Sequence, residues 1–486
     1  MLVAASAWAM VSVILPAWHP VVGQGRPTTR KAIRPQSVVT SRKGFVLPLK
    51  ASENNRYLVD QNDTPFLVMG DAPQSLVGNL SLSDATAYVA DRQRLGFNSI
   101  WVNLLCDSYT ACNSDGTTED GVPPFLSGSS PADYDLSTPN VRYFSRVDQI
   151  VSLAASYGLV VFLDPIETGG WLITLENNGN VKAYDYGQYV GNRYKGFANI
   201  VWLQGNDFQT WSSSSSDNDL VKSVMAGIAS TDPNHLQTIE LSTDSYSTQD
   251  SPTLGKLLAV DAAYTYGETY NMVLQAYNSA PTSPAFLVEA NYEYENNTGA
   301  LPGPTGPYVL REQAYWSILS GAGGQLYGNH YTWTFASGWK SFLDSPGALE
   351  IRYINSFFAH FGWWNLVPDE SHQIVTAGYG TYDGGNEDLA VATYCSAASM
   401  TNGRLAVAYC PNGSTLTVNM AKMSASAWGY WCDPSNGTCE SIVGSPFPNS
   451  GTQVFTTPGS NHDGDPDWLL VLEAARLPYA HRLLAK

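Results

Sequence analysis

The stretch Leu159–Asp207, LVVFLDPIETGGWLITLENNGNVKAYDYGQYVGNRYKGFANIVWLQGND, decides the fold. It opens on an apolar run, Leu159 to Pro165, short enough for a strand and apolar throughout, as a strand buried on both faces requires. A helical segment from Asp185 to Lys195 follows and stops at Gly196. Asn199 to Asp207 then reads as a second buried strand. Strand, helix, strand is the unit of a parallel sheet.

The unit recurs in both directions. Upstream lie a strand from Pro65 to Gly70 ending at Asp71, a helix from Ser83 to Leu95 with Ser83 as candidate N-cap, a strand from Asn98 to Leu105, and an amphipathic helix from Tyr143 to Tyr157. Downstream, strands are expected at Gln237–Ser242, Val260–Tyr266, Ala285–Asn291 and Gly324–Asn329. Helices are expected at Asp217–Ser230, Thr269–Asn278, Pro307–Ser320 and Leu349–His360. Eight strands alternating with helices predict an α/β fold, a (β/α)8 TIM barrel, over residues 44–366. The rival, an open doubly wound sheet, lacks its Gly-rich phosphate turn after the first strand.

Past about Val367 the helical period disappears. Short β-rich runs separated by turn residues occur at Leu389–Tyr394, Arg404–Tyr409, Thr415–Asn419, Ala427–Trp431, Thr452–Thr456 and Trp468–Leu472. Residues 367–486 therefore read as a small all-β sandwich. The serine run Ser212–Ser216 reads as a short loop.

Charge and composition narrow the function. With 25 Lys and Arg against 43 Asp and Glu, the net charge is −18, which disfavours nucleic acid as a partner. Charged residues are 14% and aromatic residues 12%, a balance suited to uncharged, hydroxyl-rich ligands. The apolar run Leu2–Trp18 and the basic stretch Arg26–Arg34 read as a secretory signal and short leader over residues 1–43; a membrane anchor or a misassigned start are the other readings. The six cysteines fall into close pairs, Cys106/Cys112, Cys395/Cys410 and Cys432/Cys439, which suit three local disulfides in an exported protein. Sequons at Asn62, Asn79, Asn296, Asn412 and Asn436 suit a glycoprotein. Asp463, Asp465 and Asp467 resemble the start of a calcium loop, but the later Gly and Glu are missing. The histidines lack zinc spacing and no Gly-x-Ser-x-Gly elbow occurs, so neither a metal nor a cofactor is expected.

In such a barrel, functional groups project from the C-terminal ends of the strands. Polar and aromatic residues gather there: Asp71, Asn103, Asp164 with Glu167, Asn206 and Asp207, Tyr264 and Tyr266, Glu289 with Tyr292, and Tyr327 with Trp333. Glycoside hydrolysis needs two carboxyl groups flanking one bond, and strands four and seven face each other across a barrel mouth. Asp207 and Glu289 stand at those ends and are the candidate catalytic pair. Asn206 is placed to bind a sugar hydroxyl, and Tyr266 or Tyr264 to hold Glu289 in line. Asp71, Asn103, Asp164, Tyr292, Tyr327 and Trp333 complete the candidate substrate-binding set. Trp171 and Trp211 are further candidates for stacking on sugar rings.

Several strings resemble the apiosidase-like glycoside hydrolases of family 140. They are Arg56-Tyr-Leu-Val-Asp-Gln-Asn-Asp-Thr-Pro-Phe-Leu-Val-Met-Gly-Asp71, Gly96-Phe-Asn-Ser-Ile-Trp-Val-Asn103, Trp202-Leu-Gln-Gly-Asn-Asp207 and Leu287-Val-Glu-Ala-Asn-Tyr-Glu293. The ending Asp465-Pro-Asp-Trp-Leu-Leu-Val-Leu472 resembles a following β-sandwich labelled collagen-binding. The resemblance implies a retaining mechanism with Asp207 as acid/base and Glu289 as nucleophile. The expectation is a secreted, extracellular enzyme that removes terminal sugars from plant or microbial polysaccharide side chains, with a poly- or oligosaccharide as its partner. No nucleic acid and no stable membrane association after signal cleavage are expected. The alternative is an inactive carbohydrate-binding or matrix-adhesion protein. The sandwich is expected to buttress the barrel.

Overall fold

A computed structural model describes residues 44–383, 389 and 392–474. The expected signal and leader lie outside the described residues, as do Ala390 and Val391 of the expected strand Leu389–Tyr394.

Eight parallel strands follow one another as expected: β1 (Val68–Asp71), β2 (Ser99–Asn103), β3 (Val160–Asp164), β4 (Ile200–Phe208), β5 (Gln237–Leu241), β6 (Asp261–Tyr264), β7 (Ala285–Glu289) and β8 (Gly324–Tyr327). Their order in the sheet is β5-β4-β3-β2-β1-β8-β7-β6, with a two-residue antiparallel strand, Ser245–Tyr246, on β6. The ends of this sheet meet where Ala259 N–H donates to Gln237 O at 2.9 Å and Thr238 Oγ1 donates to Val260 O at 2.8 Å. The sheet is thus a nearly closed barrel. Trp101, Phe162, Leu203 and Phe286 fill its interior, joined by Leu49, Leu58 and Phe66 from a small antiparallel meander.

Each strand is followed by a helix: α1 (Leu82–Leu95), α2 (Val141–Ser156), α3 (Thr168–Tyr194), α4 (Ser215–Thr231), α5 (Ser251–Leu254), α6 (Thr269–Asn278), α7 (Pro307–Leu319) and α8 (Pro346–His360). Ser81, not Ser83, caps α1, its hydroxyl accepting from Asp84 N–H. The expected helix Asp185–Lys195 is only the second half of α3, which breaks at Gly179. The first half carries Gly169, Gly170, Asn177 and Asn178, poor helix formers that tertiary packing overrides.

The C-terminal part holds a six-stranded antiparallel-linked sheet and a three-stranded one. The larger begins at Leu366–Pro368 and includes Ser396–Met400, Leu405–Cys410, Trp468–Glu473, Trp428–Cys432 and Cys439–Ser441. The smaller pairs Val375–Ala377, Thr415–Asn419 and Thr452–Thr456. Both faces of the larger sheet are covered. Ala406, Ala408, Leu470 and Leu472 pack with Leu416, Val418 and Phe455 of the small sheet. Their alternates Leu405, Val407, Tyr409, Leu469 and Val471 join one cluster with Tyr315, Ile318 and Leu319 of α7. Tyr315 stacks on Tyr409 with ring centroids 5.0 Å apart.

A buried cation fastens the same contact. Arg311 on α7 is held by both oxygens of Asp467 (Nε at 2.8 Å, Nη2 at 2.9 Å), by Asp465 at 2.6 Å and by Glu350 of α8 at 2.6 Å. The aspartates that resemble a calcium loop in sequence thus include two partners of Arg311. The three close cysteine pairs are disulfides, Cys106–Cys112, Cys395–Cys410 and Cys432–Cys439. Among the described residues no helix is long and apolar enough to cross a membrane.

Candidate active site

Both central carboxylates sit where the barrel's register breaks. In β4, Gln204 pairs with Ile239 and Phe208 with Leu241, so four steps along β4 match two along β5. The excess chain is Gly205-Asn206-Asp207, with φ of 102°, 50° and 63°. Such left-handed backbone is costly for Asn and Asp and marks a held conformation. Gly205 is required here, because a Cβ would lie 2.1 Å from Glu240 O. The bulge is held by Thr168 Oγ1 donating to Gly205 O at 2.8 Å and by Asp207 N–H donating to Glu240 Oε2 at 3.0 Å. In β7, Ala263 faces Leu287 and Tyr264 faces Glu289, so Val288 is an extra residue. Bulges re-aim side chains beside active sites, and these two turn Asp207 and Glu289 into one cleft of about 220 Å³.

Phenols hold both acids. Tyr266 donates to Glu289 Oε1 at 2.6 Å and Tyr292 to Oε2 at 2.7 Å. Tyr264 donates to the Tyr266 oxygen at 2.8 Å. Gln74 Nε2 donates to the Tyr292 oxygen at 3.0 Å, and Asn206 Nδ2 to Gln74 Oε1 at 3.3 Å. Tyr109 donates to Asp207 Oδ2, and Gln209 Nε2 to Oδ1 at 3.3 Å. Trp333, at the rim, donates through Nε1 to Glu295 at 2.6 Å.

Burial pushes the Asp207 carboxyl above its ordinary range, while the hydrogen bond from Tyr109 and the nearby Tyr264 phenol pull the other way. Glu289 is also pushed up, first by burial and then by the Asp207 charge, against Tyr266 and Tyr292. Each carboxyl thus makes the other harder to ionise. The two phenols on Glu289 favour the anion there, and Tyr109 favours it at Asp207.

A third carboxyl lies beneath them. Glu240 on β5 is wholly buried and held well above its usual range by burial, then by the Glu289 and Asp207 charges. Its Oε1 has no partner among the described residues. Sequence reasoning missed Glu240, Gln74 and Tyr109. Glu240 was readable as the lone carboxylate in the strand Gln237–Leu241, whereas Tyr109 had no such signal.

The other expected residues divide. Asn206, Tyr266, Tyr292 and Trp333 line the cleft, and Tyr264 stands behind Tyr266. Asn103 and Asp164 are register partners with no exposed surface and do not line the cleft. Two placements run against expectation. Asp71 is buried in an ion pair with Arg92 of α1 at 3.0 Å and accepts from Tyr88 at 2.5 Å. Tyr327 donates to Glu293, which also accepts from Ser345 at 2.6 Å, Asn329 at 3.0 Å and Gly347 N–H at 2.9 Å. Both side chains point to the helical layer, because Asp71 shares the outer side of β1 with Met69 and Tyr327 lies opposite the inward Leu326 on β8. Trp171 is a core residue stacked on Tyr134, and Trp211 is half-buried with Nε1 on Ser242. A larger hollow of about 270 Å³ near Arg56, Trp364 and Asn402 is lined by no carboxylate.

Residues 52–365 match the family model described as "Apiosidase-like, catalytic domain". The chain belongs to the apiosidase-like family. Residues 386–473 match a model described as "Putative collagen-binding domain of a collagenase". Among solved structures, a protein titled "Glycoside hydrolase" is similar over 90% of this apiosidase-like chain and 100% of its own, at 21% identity and a TM-score of 0.75. A glycoside hydrolase family 5 protein from Bacteroides vulgatus ATCC 8482 is similar over 90% of this chain and 96% of its own, at 18% identity and a TM-score of 0.74. The apiosidase-like chain therefore has a glycoside hydrolase fold. No curated protein sequence matches it.

Proposed function

We propose that this apiosidase-like protein is a secreted, retaining glycoside hydrolase that removes terminal sugars from plant or microbial polysaccharide side chains. Asp207 is the acid/base and Glu289 the nucleophile. The observation that carries this reading is the shared cleft, in which Tyr266 and Tyr292 hold both oxygens of Glu289 while Tyr109 holds one oxygen of Asp207. Glu289 attacks the anomeric carbon as an anion. The glycosidic C–O bond breaks, its electron pair passes to the leaving oxygen, and Asp207 supplies that oxygen with a proton. Asp207, now charged, takes a proton from water, whose oxygen displaces Glu289 and frees the sugar. Asn206 orients a hydroxyl of the bound sugar, and Trp333 offers its ring at the rim. The cleft lining lacks Lys and Arg among its residues, which favours a neutral sugar there. The barrel, residues 44–366, does the chemistry, and residues 367–486 buttress it. Three disulfides support an oxidising, extracellular setting.

The test is sugar release from a panel of pectic, arabinan and xylan side-chain oligosaccharides. Asp207→Asn and Glu289→Gln, each checked for folding, are compared with wild type. Both variants should lose at least about 10²-fold. Undiminished release by either removes that residue from its role.

A further inference from the structure

The loop after β2 is closed on itself by the Cys106–Cys112 disulfide and carries Tyr109 between the two cysteines. Several contacts fix the loop against the barrel. Cys112 N–H donates to Asp107 O at 2.7 Å, Ser75 Oγ to Thr110 O, and Asn79 Nδ2 to Ala111 O at 2.9 Å. Asp107 Oδ1 accepts from Tyr109 N–H at 2.8 Å. The Asp107 carboxyl also adjoins that of Glu167, at the start of α3, and burial raises both. The Tyr109 ring lies flat against Gly169, where a Cβ would sit 2.1 Å from a ring carbon. The phenol thus reaches Asp207 from a covalently closed, multiply anchored support.

We propose that this disulfide-closed loop is part of the acid/base apparatus, with Tyr109 as a positioning residue that occupies Oδ2 of Asp207 and leaves Oδ1 as the oxygen that carries the proton to the leaving group. The inference rests on the reading of Asp207 as acid/base. The Tyr109 phenol fixes the orientation of the carboxyl through Oδ2, and Oδ1 keeps only the long contact from Gln209 Nε2 at 3.3 Å. Positioning of this kind lowers the barrier by removing unproductive rotamers before the reaction. The charged and titratable groups around Asp207 are Glu289 on β7, Glu240 on β5, and the phenols of Tyr109, Tyr264 and Tyr266. Of these, Tyr109 is the one held by a disulfide.

The test follows the Asp207 carboxyl by carbon NMR in the full chain labelled at aspartate side-chain carboxyls, the signal being assigned by its absence in Asp207→Asn. A donor to an anion lowers its pKa, so removing the donor raises it. In Tyr109→Phe the titration midpoint should move up by about one pH unit. The double variant Cys106→Ser/Cys112→Ser keeps the phenol but opens the loop, and its midpoint should move the same way. It also serves if Tyr109→Phe fails to fold. An unmoved midpoint in folded Tyr109→Phe overturns the proposal, and a shift in Tyr109→Phe alone removes the disulfide from it. Where the sugar panel gives a substrate, kcat should fall about tenfold in Tyr109→Phe and the alkaline limb should move upward. Full sugar release by Asp207→Asn would instead sink the acid/base reading itself.

Discussion

Replacing Arg311 by methionine isolates what the buried cation between α7 and the larger C-terminal sheet is worth. The guanidinium is 1% exposed and Asp467 is fully buried. Methionine keeps much of the apolar stem, so packing changes little. The loss falls on the carboxylates. Asp467 retains Tyr409 at 3.0 Å and Asn461 at 2.7 Å but has no other cation among the described residues. Asp465 is 32% exposed and regains water, so it contributes little. Removing one partner of a buried pair costs about 3–5 kcal/mol, and a value near ~4 kcal/mol is expected at pH 7.5. The penalty should depend on pH. Burial raises Asp467, and the Arg311 hydrogen bonds and charge counteract it. Without Arg311 the Asp467 carboxyl moves higher and takes up a proton as pH falls. A neutral carboxyl does not miss its cation, so at pH 5 the loss should shrink by about half. Urea titrations followed by tryptophan fluorescence at both pH values give the two losses. A loss below about 1 kcal/mol at pH 7.5, or the same loss at both values, refutes the reasoning.

Three other perturbations have definite outcomes. Gly205→Ala forces a Cβ toward Glu240 O at a φ of 102°, so the melting temperature should fall by several degrees, with a stability loss of at least ~2 kcal/mol; a neutral effect in a thermal melt would contradict the bulge. Tyr266→Phe removes the donor on Glu289 Oε1 and should lower kcat/KM about 10²-fold. Because that donor favours the anion, its loss raises Glu289 and should shift the acid limb of the pH–rate profile upward. Asp164, Glu240 and Glu312 are wholly buried and raised by desolvation. Above about pH 4.5 the unfolded chain releases these protons before the folded chain does, so stability should fall as pH rises through that range. Thermal melts from pH 5.5 to 8 check this, and a flat or rising trend would count against it.

The barrel was legible because its strands are buried on both faces and read as short apolar runs punctuated by glycine. The sandwich was less so. Leu366–Pro368, Val375–Ala377, Ser396–Met400 and Cys439–Ser441 are short and carry small or polar residues, and partner strands define them more than propensity does. In the site, Asp207 and Glu289 were found from their positions at strand ends. Asp71 and Tyr327 share that position but face outward, a difference that the two-residue alternation of β1 and β8 encodes. The same alternation would have misplaced Glu289, since the extra Val288 reverses it. Tyr109 reaches the site through a loop whose path depends on contacts distant in sequence, which no local pattern carries.

The two-sided larger sheet also bears on how separable this architecture is. Leu405, Val407, Tyr409, Leu469 and Val471 are buried against the barrel as fully as Ala406 and Leu470 are within the sandwich. Cut free and grafted onto another protein, the C-terminal segment would carry that apolar face, together with Asp467, into water. It would arrive as an adhesive fragment rather than a transferable module. Shuffling of such segments between enzymes is therefore constrained to barrels whose α7 offers a matching apolar stripe and an arginine, and the boundary near Leu366 is a join in sequence rather than a seam in the folded chain.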